Sequence, residues 1–316
     1  MRSAISTLGG ILSPLQRTVK DPLLLFFSIM LIFPTQAQDR NPAMLTWNDI
    51  AALPAPAAGL RIPYGDGAFQ FGDLRLPEGT GPYPVAVVIH GGCWLSRIDL
   101  EHAGHLSVAL NRAGLATWTL EYRRIGNPGG GWPGTFEDVA AGTDHLRTLA
   151  TRFPLDIKRV VLIGHSAGGH LALWTAARPN FLKTHPLFSR DPLRVQGVVA
   201  LAGITDLRAY GTGSGNCNAS VYPLMGGTPA EVPERYALAN PVELALSGVP
   251  VWLVHGTEDV IVPVEQSRRF RDIARSKGGE ASLLTIQNAG HFEPIAPFTP
   301  AWKEVESVVR GLVALP

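Results

Sequence analysis

The chain has 316 residues, 46% hydrophobic and 17% charged, with 34 Gly and 26 Pro, which is enough apolar content for a sizeable core and too little Gly and Pro for a disordered or collagen-like chain. Its 27 Lys and Arg against 26 Asp and Glu leave a net charge of +1 with no basic stripe or acidic tail, so the long-range attraction that nucleic-acid binding needs is missing. The low charged fraction and the absence of heptads or of an internal repeat exclude a coiled coil, a solenoid and a propeller, and one globular domain is expected.

In chain order, Arg17 and Lys20 precede an apolar run, Leu23 to Phe33, followed by Pro34 and the small-residue end Thr35-Gln36-Ala37. This reads as a secretory signal over 1–37, because the run is too short to cross a hydrocarbon layer of roughly 30 Å comfortably. A retained anchor or a misassigned start codon are the alternatives. Cleavage after Ala37 leaves 24 basic against 25 acidic residues, and the expectation is an exported chain with no stable membrane association. Residues 38–66, with Pro42, Pro54 and Pro56, read as an irregular lead-in, and the domain proper as 67–316.

Ala68 to Leu76 alternates and predicts an edge strand; Val85 to Ile89 is a short continuous apolar run, as a strand buried on both faces requires. Further strands are predicted at Ala116–Tyr122, Val160–Ile163, Val195–Leu201, Pro250–Val254 and Ser282–Ile286, and helices at His102–Ala113, Thr135–Leu149, Gly168–Ala177 and Val264–Lys277. This alternation implies right-handed crossovers and a mainly parallel sheet with helices on both faces. Ligands of such sheets sit beyond the carboxyl ends of the strands, so chemistry is sought in the loops that follow them.

After the strand ending at Ile163 comes Gly164-His165-Ser166-Ala167-Gly168 and then an Ala- and Leu-rich helix. A serine in G-x-S-x-G between strand and helix sits on a tight turn with its hydroxyl over the sheet edge, which makes Ser166 a candidate nucleophile; the alternative is a helix N-cap. A serine hydroxyl needs a base, and the base an orienting carboxylate. Gly256-Thr257-Glu258-Asp259 follows one strand and Gly290-His291 follows the next, so Ser, Asp and His occur in that chain order. Asp259 and His291 are the chosen partners, with Glu258 and Asp206 as alternative acids. Donors for a developing oxyanion are expected from the backbone N–H groups of Gly92 and Cys93, in His90-Gly91-Gly92-Cys93-Trp94, and of Ala167.

These segments together resemble the α/β-hydrolase superfamily from about Gly67 onward, and His90 to Trp94 is similar to the HGG-x-W signature of its kynurenine formamidase-like and small carboxylesterase branch. The resemblance implies an α/β-hydrolase fold and cofactor-free hydrolysis of small-molecule esters or amides through an acyl-enzyme. Cys93 stands where the fuller HGGG pattern has glycine. An esterase acting on small to medium acyl groups is the first expectation and an arylformamidase the second; a peptidase or an inactive binding module are further alternatives.

Trp94 and Trp132 either line an acyl or aryl pocket or pack simply in the core. The stretch from Thr205 to Arg235 is longer than a crossover helix needs and is expected to form a small lid over the site. No CxxC or HExxH occurs, so no metal site is expected; His102 and His105 are read as solvated helix residues. Whether Cys93 and Cys217 pair is open at this stage.

Overall fold

The computed structural model describes residues 44–315, and the signal-like segment 1–37 lies outside them. The strands are β1 (Leu60–Pro63), β2 (Phe71–Arg75), β3 (Tyr83–Ile89), β4 (Ala116–Leu120), β5 (Leu155–His165), β6 (Gly197–Leu201), β7 (Val251–Gly256) and β8 (Ala281–Ile286). They form a single sheet in the order β1-β2-β4-β3-β5-β6-β7-β8. Pairing is antiparallel for β1 with β2 and for β2 with β4, and parallel from β4 through β3 to β8. This is the α/β-hydrolase fold.

The parallel strands are apolar runs because both their faces are covered. In β3, Val85, Val87 and Ile89 pack on one side with Phe136 and Leu171, whereas Ala86 and Val88 pack on the other with Leu106, Val305 and Val309. Successive side chains of a strand point to opposite faces, so one apolar segment serves two half-cores. Burying each Val or Ile contributes about 1.5–3 kcal/mol, which sets this register firmly. The helices Gly134–Asp144 and Ala167–Ala177 supply the first half-core, and Gly104–Arg112 and Ala301–Leu312 the second.

The alternation of strand and helix is as expected, with three differences. The segment read as an irregular lead-in contains the helix Trp47–Ala51, capped by a reciprocal Thr46/Asp49 pair, and β1. Because β1 pairs outside β2, the strand expected at the edge lies one place in. This edge strand carries little sequence signal because it is four residues long, ends in Pro63 and buries only Ile62, as short protected edges do. The helix predicted over 135–149 is divided at His145 into Gly134–Asp144 and Leu146–Leu149. The final helix, Ala301–Leu312, adds to the expected set, and Val305 and Val309 have the spacing of a buried helix face.

The segment expected to be a lid is short helices, Leu207–Tyr210, Asn216–Ala219 and Val221–Met225, followed by Pro233–Ala239. Leu207, Tyr210, Val221, Leu224 and Met225 are buried in the main core, so this segment is a packed wall of the site. A disulfide joins Cys217 in it to Cys93, with their Cα atoms 4.8 Å apart.

Candidate active site

The three loops singled out in the sequence follow β5, β7 and β8 and converge at one end of the sheet. Between β5 and the helix Ala167–Ala177, Ser166 adopts φ 54° and ψ −116°, a left-handed conformation costly for a residue with a Cβ. The turn is held by Ser166 N–H donating to the Leu201 carbonyl at 2.9 Å and by the Ser166 carbonyl accepting from His170 and Ile204. Glycine is required on either side by contact: a Cβ on Gly164 would lie 2.1 Å from the Gly168 carbonyl oxygen, and one on Gly168 would lie 2.1 Å from that of Ile89. Ser166 is the helix N-cap by position, yet its hydroxyl makes no capping hydrogen bond. The N-cap alternative therefore does not account for the serine, whose side chain lines a cavity instead.

His291 lines the same cavity. Its Nδ1 lies 2.6 Å from Asp259 Oδ2, and the two loops are zipped together by the N–H groups of Thr257 and Glu258, which donate to the carbonyls of Ile286 and Ala289. The other carboxylate oxygen of Asp259 accepts from the N–H groups of Ile261 and Val262, both at 2.8 Å. Burial opposes ionisation of Asp259, but contacts to His255 and His291 and the Val262 N–H outweigh it and hold its carboxyl well below the usual carboxylate range. His255 donates to the Val262 carbonyl at 2.7 Å, so it braces the acid loop. Of the alternative acids, Asp206 caps the helix Leu207–Tyr210 and lies 3.5 Å from Arg269, and Glu258 is exposed and meets Thr257. Neither reaches His291. No hydrogen bond links the Ser166 hydroxyl to His291; such bonds commonly tighten only when substrate is bound.

The loop after β3 carries three successive positive φ values, at Gly92 (102°), Cys93 (55°) and Trp94 (55°). Gly92 and Cys93 line the cavity beside Ser166, and their N–H groups take no backbone partner among the described residues. Ala167 is the first residue of its helix, where an N–H has no intrahelical acceptor. The three expected donors therefore have their N–H groups unspent.

Behind this loop is a buried polar network that the sequence did not reveal. His90 Nε2 lies 3.2 Å from Glu121 Oε1, the same carboxylate accepts from the N–H groups of Leu100 and Tyr122, and Arg124 pairs with it at 3.0 Å. Tyr122 stacks on His90 and donates to its carbonyl at 2.8 Å. Burial opposes ionisation of Glu121, but His90 and Arg124 hold its carboxyl below the ordinary value. The only signal was a glutamate directly after a buried strand.

The cavity has a volume of about 190 Å³ and opens into an outer cleft of about 770 Å³. Neither tryptophan expected in a pocket lines it. Trp94 is fully buried with its ring edge-on to His170, and Trp132 packs edge-on against Phe136; the left-handed backbone at residues 92–94 turns the Trp94 indole inward. The aromatic lining comes from Trp47 and Phe292. His102 was expected to be solvated and is instead buried between Trp47 and His165, with Nδ1 accepting from Gly91 N–H at 3.2 Å. His165 in turn meets the His291 ring at 4.5 Å and donates from Nε2 to the His291 carbonyl at 2.9 Å. Burial holds His165 well below the usual histidine range and lowers His102 to about 3, so both are neutral spacers.

Residues 73–273 match the BD-FAE family. Among curated proteins, the chain is 28% identical over 243 residues to the esterase LipC of Mycobacterium tuberculosis, covering 73% of this chain and 59% of that one. It is 24% identical over 261 residues to the kynurenine formamidase of Drosophila melanogaster, covering 79% and 80%. Thus the chain spans somewhat over half the length of the mycobacterial relative. Among solved structures, an inhibited esterase B from Lactobacillus rhamnosis superposes with a TM-score of 0.73 at 20% identity, covering 85% of this chain and 91% of that one. The strand order, the serine turn and the match across residues 73–273 have one reading: the chain belongs to the BD-FAE family, within the α/β-hydrolase fold.

Proposed function

We propose that the protein is a serine hydrolase that cleaves carboxylic esters of small to medium acyl groups through an acyl-enzyme. The observation that carries this reading is the strained Ser166, its hydroxyl unspent, in one cavity with His291, whose Nδ1 is 2.6 Å from the buried Asp259. His291 Nε2 accepts the Ser166 proton as Oγ bonds to the ester carbonyl carbon, and Asp259 stabilises the imidazolium that forms. The N–H groups of Gly92, Cys93 and Ala167 hold the oxyanion. As the carbon–oxygen bond to the alcohol breaks, His291 returns the proton to the leaving oxygen; water then attacks the acyl-enzyme in the same way and frees Ser166. The volume of the inner cavity, about 190 Å³, favours the short end of the acyl range, since pockets for drug-sized ligands run to roughly 300–1,000 Å³.

Arylformamidase activity is the second reading, favoured by the similarity to a kynurenine formamidase over about four fifths of both chains. Initial rates on p-nitrophenyl esters of increasing chain length, beside N-formylkynurenine and with Ser166→Ala as control, separate the two. Faster Ser166-dependent ester turnover supports the first reading, preference for the formamide supports the second, and inactivity of folded protein on both removes the reading as a hydrolase of either kind. Export by the segment 1–37 is part of the proposal; the Cys93–Cys217 disulfide supports it, because such bonds persist in oxidising compartments. Cell fractionation with N-terminal sequencing tests it, and a cytoplasmic chain beginning at Met1 would refute it.

A further inference from the structure

The inner cavity and the outer cleft share Trp47, Cys93, Arg97, Cys217, Ile261 and Phe292. Among all the residues lining the two, Arg97 is the one Lys, Arg, Asp or Glu. The rest of the wall is aromatic, aliphatic, or neutral and polar, such as Thr212, Ser214 and Asn218. Of the carboxylates around the site, Asp99 accepts from Glu101 N–H as a helix cap, and Asp259 is held by His291 and by the N–H groups of Ile261 and Val262. Among the described residues no hydrogen bond or ion pair is formed by the Arg97 guanidinium, whereas Arg123, Arg124 and Arg178 each hold a carboxylate. The cleft that leads to Ser166 therefore presents a single unpaired cation and no compensating anion. A guanidinium is a planar fork of donors that suits a carboxylate and stays charged at any working pH.

Resting on the esterase reading above, we propose that Arg97 forms an anion subsite and that the preferred substrates are esters bearing a carboxylate several bonds from the scissile carbonyl. Arg97 touches both the inner cavity and the outer cleft, so the carboxylate belongs to the part of the substrate that extends outward from Ser166. A cation at the mouth also raises the local concentration of anionic substrates, an effect that salt weakens.

The test compares matched substrates that differ by one charge. On the acyl side these are the mono-p-nitrophenyl ester of adipic acid and its methyl ester; on the alcohol side they are 4-acetoxybenzoate and its methyl ester. Rates with Ser166→Ala are subtracted from each. Wild-type protein is expected to favour the anionic member of one pair about tenfold in kcat/KM, as a charged hydrogen bond contributes. That ratio falls toward one in Arg97→Gln, is partly kept in Arg97→Lys, reverses in Arg97→Glu, and declines with added salt. Equal or neutral-favouring ratios in both wild-type pairs, or a preference that survives Arg97→Gln, would overturn the subsite while leaving the esterase intact. Failure to hydrolyse any of the four esters in a Ser166-dependent way would overturn the esterase reading and the subsite with it.

Discussion

Replacing Cys217 with serine opens the disulfide that closes a sequence separation of 124 residues. In the chain-entropy description, cross-linking a loop of that length removes about 16.5 cal/mol/K from the unfolded ensemble, or about 4.9 kcal/mol at 25 °C, as an upper figure. For a domain of this size each kcal/mol shifts the melting temperature by about 2 °C, so Cys217→Ser is expected to melt up to about 10 °C below the oxidised protein. The bond also anchors Cys93, which lines the cavity and is a proposed oxyanion donor, to a wall that is otherwise packed in the core. Loss of one oxyanion donor typically lowers kcat about 10²- to 10³-fold, and a loosened donor is expected to cost at least tenfold of that. Thermal melts and initial rates of the wild type with and without reductant, beside Cys217→Ser, provide the assay. Melting curves that coincide within about 1 °C, or two titratable thiols in denatured unreduced protein, would refute the reasoning.

Asp259→Asn is expected to leave the fold intact and lower kcat about 10⁴-fold, since His291 then loses its orienting anion; a loss below tenfold would remove Asp259 from the site. Glu121→Gln weakens the brace on His90 and Arg124, so kcat should fall more than KM rises, and an unchanged kcat would show that the loop holds itself. The buried histidines predict acid lability. Burial lowers His102 to about 3 and His170 to about 4 and holds His165 well below the usual histidine range. The unfolded chain therefore takes up protons first as pH falls below about 6.5, and stability that is full above that value drops by up to about 1.4 kcal/mol per pH unit for each such group. Urea melts at pH 7.5 and 5.5 measure it, and equal stability at the two values would contradict the burial.

Much of this architecture was legible in the chain because the parallel strands are buried on both faces and announce themselves as apolar runs. The serine turn was legible because its glycines stand in a short fixed pattern; Gly164 is set by the Gly168 carbonyl four residues on, whereas Gly168 is set by the remote Ile89 and His90 carbonyls. What escaped depends on contacts remote in sequence. Trp47 reaches the cavity from a segment that reads as irregular, His102 is buried by rings from two other elements, and Glu121 matters only because β4 delivers it beneath His90. Trp94 shows the opposite error, for adjacency to a site loop says nothing about direction once the backbone turns left-handed. The helices of the 205–235 segment are core elements that also wall the site, a double role that length alone does not disclose.

The order of the loops also has a consequence in time. Ser166 follows β5, while Asp259 follows β7 and His291 follows β8, the last strand to join the sheet. During synthesis from the N-terminus the serine emerges long before the imidazole that would activate it, and the turn that strains it leans on the Leu201 carbonyl of β6. On the proposed mechanism a growing chain is expected to stay unreactive until its final strand docks, so the onset of reactivity toward a serine-directed phosphonate would time the completion of folding.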